Sequence, residues 1–492
     1  MKRTIFLLAL AALAGVFTAP AEYKGINPQV AKVVSEISED HITATLKKLE
    51  SFGTRNIYSK TDDPVRGVGA ARNWILAEFK SYSPRLDVSF DQYRLKKDTA
   101  RGSRIAEDVD LYNVVAVLPG TTNPEERIVI SGHYDTINLQ RAPGAPPNAP
   151  GDNPSTDGGG RQGARDGGGR EGGGTEGGGR GPGTPPPPRD PNIDAPGVTD
   201  DGSGTACVME LARVLSQYQF EKTLVFVAFA GEEEGLLGST LYAKKAKDTG
   251  MKIEAVLNND IIGSDIAGDG RTDNRRLNVF SEDPQDSPSR ELARYIREIG
   301  QRYVPEMVVD PVFRADRFGR GGDHTPFNLE GFAAVRFSTP SENFANQHSK
   351  TDTFANTSPG YVAHVTRVNG AVAASLALAP NTPATTEQTE RNGRKITSLL
   401  LTRGRSRYDA QVRWKDEHPA PDLAGYVVLM RPTTSPYWER EIFVGNVKEF
   451  VLPGVSIDDV VFGIKAIDKD GNESLPAAYV QNPREKRSIS VY

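Results

Sequence analysis

At 492 residues the chain is long enough for two or three domains and a large buried core. A formal net charge of -5 removes the electrostatic basis for nucleic-acid binding, which calls for a basic patch. Apolar residues make up only 37%, but one long Gly/Pro tract dilutes that figure, so a globular protein remains the expectation.

Lys2 and Arg3 precede an apolar stretch from Ile5 to Val16 and a small-residue site, Ala19-Pro20-Ala21. That layout predicts a secretory signal peptide over residues 1–21. The apolar run is shorter than the roughly 20 residues a membrane span needs. No Cys follows the cleavage site to take a lipid anchor, and no later segment is apolar enough to cross a bilayer. The mature protein is therefore expected to be soluble and extracytoplasmic, either secreted or periplasmic. Cys207 is the only cysteine and lies in an apolar helical run, where a buried structural thiol is expected rather than a nucleophile.

Apolar spacing predicts two short amphipathic helices between Val30 and Leu49 and another from Val68 to Phe79. Short apolar runs then predict buried strands over Asn113–Leu118, Ile128–Ile130, Leu224–Phe229, Ile253–Leu257 and Ala333–Phe337. Helical patterns at Gly204–Tyr218, Leu237–Lys247 and Tyr361–Leu378 separate several of them. Alternation of this kind predicts a three-layer α/β sandwich with a mostly parallel central sheet. Residues 141–197 interrupt it with Gly triplets, a Pro quartet and scattered charges. Such a segment buries too little surface to offset its ordering entropy and is expected to be a disordered insertion. From 397 to 492 the texture becomes β-rich, with runs at 408–414, 425–430, 441–444, 449–452 and 460–466 and turn signals at Pro453-Gly454 and Asp470-Gly471. A seven-stranded β-sandwich is expected there, with Trp414 and Tyr426 as core aromatics. Val461 to Ser474 resembles the end of a fibronectin type III domain.

Ligands far apart in sequence meet only if the fold converges them. His133 closes the run begun at Ile128, Glu232 and Glu233 follow the run that starts at Leu224, and Asp260 follows the run that ends at Leu257. In a parallel α/β sheet all strand carboxyl ends share one edge, where ligands bind. Asp200-Asp201 stand just before a predicted helix, and His348 lies in Asn-Gln-His-Ser. Alone, His133 suits a hydrogen-bonded core position, Asp200 or Asp201 a helix cap, and Glu232-Glu233-Glu234 a solvated turn. Together they supply the imidazole and carboxylate ligands of a metallohydrolase, one carboxylate being needed to bridge a pair of cations. The spacing His133-Tyr-Asp135 lets the Asp135 carboxylate hold the second ring nitrogen of His133.

Gly-His133-Tyr-Asp135, Asp200-Asp201-Gly-Ser-Gly, Glu232-Glu233-Glu-Gly-Leu-Leu-Gly-Ser, Asn-Asp260 and His348-Ser-Lys-Thr-Asp352 resemble the successive motifs of metallopeptidase family 28, the co-catalytic zinc aminopeptidases and their relatives. The likeness covers about 30 to 380, and Gly53-Thr-Arg and Gly67-Val-Gly-Ala-Ala-Arg-Asn-Trp fit its N-terminal part. It implies two zinc ions per chain, with Asp200 bridging, His133 and Asp260 on one ion, and Glu233 and His348 on the other. It further implies Glu232 as general base, Asp135 orienting His133, and Asp323 and His324 lining the substrate pocket or bracing a loop. The 141–197 tract departs from the family by sitting between the first two motifs, so it should loop out near the cleft mouth.

The expected function is thus a secreted two-zinc exopeptidase acting on peptides, an aminopeptidase before a carboxypeptidase. A single-zinc glutaminyl cyclase is the enzyme alternative. A binding protein of the transferrin-receptor kind is disfavoured by the complete ligand set and by Glu232. The domains are expected as signal 1–21, peptidase 22–396 and a fibronectin type III-like unit 397–492. That last unit would serve cell-surface or wall contact, maturation, or passive stabilisation.

Overall fold

The computed structural model describes residues 25–98, 100, 103–139, 190–314, 321–383, 386–389, 395–416 and 419–479. The expected signal peptide and most of the expected insertion lie outside them. Among the described residues no helix is long and apolar enough to cross a membrane.

The helices are α1 (Pro28–Ser35), α2 (Glu39–Ser51), α3 (Gly67–Tyr82), α4 (Ser203–Leu215), α5 (Leu237–Asp248), α6 (Pro288–Tyr303), α7 (His324–Leu329) and α8 (Pro359–Leu378). Eight strands form the main sheet: β1 (Asp87–Leu95), β2 (Val109–Leu118), β3 (Asn123–His133), β4 (Lys222–Phe229), β5 (Lys252–Asn259), β6 (Arg276–Ser281), β7 (Val308–Phe313) and β8 (Ala334–Ser338). Their order is β1-β2-β4-β3-β5-β8-β6-β7. The four central strands run parallel, whereas β1–β2, β2–β4 and β6–β8 are antiparallel. The sheet is therefore mixed, and the expected parallel arrangement holds at its centre.

Alternate residues of the central strands face opposite layers, as a period of two requires. Ile128, Ile130, Leu224, Phe226 and Leu257 join one core with α4, α6 and α8, which α1 and α2 cover in turn. Val129, Val225, Val227 and Val256 join a second core with α5 and α7. Both faces are thus sealed, and the open surface near the sheet centre is the edge where β3, β4, β5 and β8 end.

The last stretch of the expected insertion does not behave as its composition suggests. Ala195 and Val198 are buried, and Ala195 donates its N–H to the Gly53 carbonyl at 2.8 Å. Gly197 takes φ +51, and a Cβ there would meet the Thr136 methyl at 2.1 Å, so only glycine fits. Residues 195–197 therefore belong to the packed domain, while 192–194 lie exposed on its surface.

Beyond α8, β9 (Thr386–Thr389) pairs with β10 (Lys395–Ser398). β11 (Leu400–Arg403), β12 (Ala410–Arg413) and β15 (Glu449–Leu452) form one antiparallel sheet. A second contains β14 (Arg440–Gly445), β13 (Leu423–Pro432), β16 (Val460–Asp468) and β17 (Ala477–Ala478). The two share one apolar cluster that includes Val412, Leu452, Val428 and Ile464, an arrangement compatible with a β-sandwich. Trp414 and Tyr426 are both buried there, ring centroids 5.4 Å apart.

This unit meets α6 through charge. Trp438 Nε1 donates to Glu291 Oε2 at 2.9 Å, Arg431 pairs with Asp286, and Arg302 reaches Glu473 at 2.7 Å. Glu291 and Arg294 on α6 are consequently buried, although their types suggest a solvated helix face, while Arg290 is buried against Asp283, Gln285 and Phe313 of its own unit.

Candidate metal centre

The strand ends deliver the site. His133 terminates β3, Glu232 and Glu233 sit three and four residues past β4, and Asp260 directly follows β5. Asp200 comes from an irregular turn, Val198–Gly202, leading into α4, and His348 from the loop after β8. His133 Nε2 lies 3.3 Å from Asp200 Oδ1 and 3.8 Å from Asp260 Oδ1. His348 Nε2 lies 3.0 Å from Asp200 Oδ2 and 3.2 Å from Glu233 Oε2. The ligand atoms thus group as His133–Asp200–Asp260 and as Asp200–Glu233–His348, with Asp200 in both. Glu232 joins a third group with His133 and Glu233.

All five predicted ligands and Glu232 converge in one place, and nearly all are buried. Burial acts to raise the Asp200 carboxyl, but the adjacent imidazoles of His133 and His348 outweigh it and hold Asp200 well below the usual range. At Asp260 burial is likewise outweighed, chiefly by the Arg336 charge and then by His133. Arg336 Nε stands 3.1 Å from Asp260 Oδ2. Glu232 goes the other way: burial pushes it well above its ordinary value, and the Glu233, Asp260 and Asp323 charges add to that.

Backbone geometry shows that the site is imposed by its surroundings. His348 and Ile261 both hold positive φ, 53° and 59°, which costs energy for side chains of this kind. Gly204 is held by close approach: a Cβ there would lie 2.3 Å from both the Asn259 carbonyl and an Asp201 oxygen.

The expectation for Asp135 needs correction. Its carboxylate is 3.7 Å from His133 Nδ1, beyond hydrogen-bond reach, and it is the Asp135 carbonyl that faces that nitrogen at 3.2 Å. The carboxylate instead accepts the N–H groups of Glu232 and Glu233 at 3.2 and 3.3 Å. Because a backbone carbonyl can only accept, Nδ1 donates to it, and this leaves Nε2 facing the carboxylate cluster.

Asp323 and His324 are fully buried at the start of α7. A Cβ on the preceding Gly322 would stand 3.1 Å from Asp260 Oδ2 and 3.3 Å from His324 Nδ1, so the segment lies behind Asp260. Burial pushes the Asp323 carboxyl up to about 7. Residues 315–320, which precede this segment, lie outside the described set.

Three residues support the site in ways the sequence did not assign: Asp201 was expected only as a helix cap, Arg55 only as part of Gly53-Thr-Arg, and Arg336 not at all. Asp201 accepts the N–H of His133 at 3.1 Å, of Gly204 at 2.8 Å and of Ile261 at 3.3 Å, joining three ligand-bearing segments. Arg55 and Arg336 are entirely buried behind the ligands. The one signal for Arg336 was an arginine inside a five-residue apolar strand.

The residues fit a metal. His133 Nε2 and Glu233 Oε1 are buried with no hydrogen-bond partner of proper geometry, a costly state that a cation relieves. Two imidazoles and three carboxylates form a hard-to-borderline donor set that suits zinc. A mixed α/β sheet gathering that set at its strand ends defines the class: a metal-dependent hydrolase scaffold.

Comparison with known proteins agrees. The model of "Peptidase family M28" matches residues 183–373. A "Probable zinc metalloprotease" of Pyrenophora tritici-repentis is 31% identical over 473 residues, covering 90% of this chain and 95% of that one. The solved Legionella pneumophila LapA aminopeptidase superposes with TM-score 0.47 at 19% identity, over 71% of this chain and 74% of that one. A Fimbriiglobus ruber glutaminyl cyclase gives 0.46 at 16% identity, over 68% and 94%. The chain belongs to peptidase family M28 and is a zinc metallopeptidase.

Proposed function

We propose that this metallopeptidase is an exported aminopeptidase that removes N-terminal residues with two zinc ions per chain. The observation that carries the reading is Asp200, which turns one oxygen to His133 and the other to His348. A carboxylate with two separate imidazole partners is what a bridging ligand requires. His133 and Asp260 would hold one ion, Glu233 and His348 the other. A zinc pair supplies an acidified water and a polarised carbonyl.

The remaining work belongs to side chains. Glu232, buried beside Glu233, takes a proton from the attacking water and returns it to the leaving amine. Its burial beside other carboxylates favours the proton-carrying form that the second transfer needs. Asp135 fixes the backbone of both glutamates and, through its carbonyl, the ring of His133. The carboxylate-rich cleft suits a substrate with a free α-amine. Export rests on residues 1–21, and the domain plan is peptidase 22–396 followed by a fibronectin type III-like unit 397–492.

Glu232→Gln tests the mechanism. The variant should keep two zinc per chain by elemental analysis and lose at least about 100-fold in turnover of aminoacyl-p-nitroanilides. Turnover near that of the wild type removes Glu232 from the reaction. One zinc per chain with cyclisation of N-terminal glutamine would instead identify a glutaminyl cyclase. Cleavage of N-blocked peptides from their carboxyl end would identify a carboxypeptidase.

A further inference from the structure

Arg55 is 0% exposed, yet among the described residues no carboxylate lies within ion-pair distance of it. A buried guanidinium without a close counter-ion is costly, so its surroundings have to offset the cost. Nearly all of that compensation comes from backbone. Nη1 donates to the carbonyls of Leu49 at 3.1 Å and Pro196 at 2.5 Å, Nη2 to Gly197 at 2.8 Å, and Nε to Tyr134. Its own N–H goes to Thr136 Oγ1 at 2.9 Å, and that hydroxyl donates to the Ala195 carbonyl at 2.8 Å. The charges of Asp352, Asp135, Asp201 and Asp200 act on it from farther away.

The carbonyls it chooses have one thing in common. Tyr134 lies between His133 and Asp135, and Pro196 and Gly197 lie three to four residues before Asp200. Residues 134–139 follow β3 and residues 190–197 lead into Asp200, so the second segment must set Asp200 against His133. Arg55 grips both limbs with one rigid fork, and α2 through Leu49 anchors that fork. A planar fork of five fixed donors can hold four carbonyl groups from three segments at once, which a lysine ammonium on a flexible stem does not.

We infer that Arg55 is a positioning residue for the zinc pair, fixing the shared ligand Asp200 relative to His133 by clamping the two chain limbs that carry them. The inference rests on the reading that these residues hold zinc.

Arg55→Lys keeps the charge and removes the fork, so the electrostatic field on the ions is held constant. Zinc affinity is measured by competition with a chromophoric chelator, at a temperature where circular dichroism shows both proteins folded. Loss of an outer partner of this kind should weaken zinc by about 10–100-fold. Lys465→Met, remote from the site, serves as control: it should lower melting temperature while leaving zinc affinity within twofold. Affinity within twofold of wild type in folded Arg55→Lys overturns the inference. If Arg55→Lys does not fold, Thr136→Val decides by the same measurement: weakened zinc supports the clamp and unchanged zinc overturns it. Wild-type protein that retains no zinc would overturn the zinc reading itself.

Discussion

The Asp352 carboxylate holds the backbone of Asp200: its Oδ2 accepts the Asp200 N–H at 3.0 Å. Its Oδ1 takes both the N–H and the hydroxyl of Thr199, at 2.9 and 2.6 Å. Four residues after His348, it ties the loop of His348 to the turn bearing Asp200.

Asp352→Ala should therefore act on folding and on metal separately. Three buried donors lose their acceptor, and each unpaired group costs about 1–3 kcal/mol before water enters the gap. We expect a loss of about 3 kcal/mol in urea unfolding with chelator present, together with weaker zinc binding in the folded protein. Asp352→Asn keeps one acceptor and should lose less. A change below 0.5 kcal/mol in the alanine variant would show that Thr199 and Asp200 find other partners.

The legible part of this site was the part written into periodicity. His133, Glu233 and Asp260 could be placed because each closes or follows an apolar strand, and strand ends share an edge. Asp200 and His348 come from loops with no period and were placed only by likeness to a family. The supports were harder still. Arg55 and Arg336 are types that belong on a surface, and their burial depends on carbonyls and carboxylates brought from distant segments. The apolar stripe of α6, Leu292, Tyr295, Ile296 and Ile299, is intact in the sequence, but the burial of Glu291 and Arg294 beside it was not legible, because a polar layer rather than a hydrophobic one covers them. β7 contains Pro311, and β1 lies at an edge with alternating exposure, so neither reads as a buried run.

That covered face of α6 sets a pH dependence. Burial pushes Glu291 up to about 7, with Asp286 adding and Arg294 and Trp438 opposing. A carboxyl that binds its proton more tightly folded than unfolded stabilises the fold most below its ordinary value of 4.5. That contribution is lost as pH rises through about 7. Glu291→Gln removes the titration and leaves a constant offset from the changed Arg294 contact. The wild type's stability relative to this variant should fall between pH 5 and 7, by up to about 1.4 kcal/mol per unit, and level off above 7. Guanidinium unfolding at four pH values measures it, and parallel curves would mean that Glu291 titrates normally.

Lys465 addresses what the carboxyl-terminal unit does for the rest of the chain. It lies on β16 with its side chain 2% exposed, paired with Glu473 and 3.1 Å from Glu441, and it reaches Glu298 of α6 at 3.8 Å. Glu473 is also held by Arg302 of α6. These three carboxylates lie within 4.8 Å of one another, a grouping that would suggest a cation site were the lysine not already at its centre. Lys465→Met takes that cation from the acidic group and leaves Arg302 paired with Glu298 and Glu473. Removing one partner from such a buried network costs about 3–5 kcal/mol, because the surviving charges have lost both water and counter-ion. If the carboxyl-terminal unit and the peptidase unit unfold as one, the whole melting transition should shift down and stay single. A second, lower transition with the first unmoved would mean that the sheets melt alone, and that their contact with α6 adds nothing to the peptidase. Adding Glu473→Gln to Lys465→Met should recover part of the loss, since it takes away one of the stranded charges. A double variant less stable than the single would show that Arg302, not Lys465, is the cation Glu473 depends on.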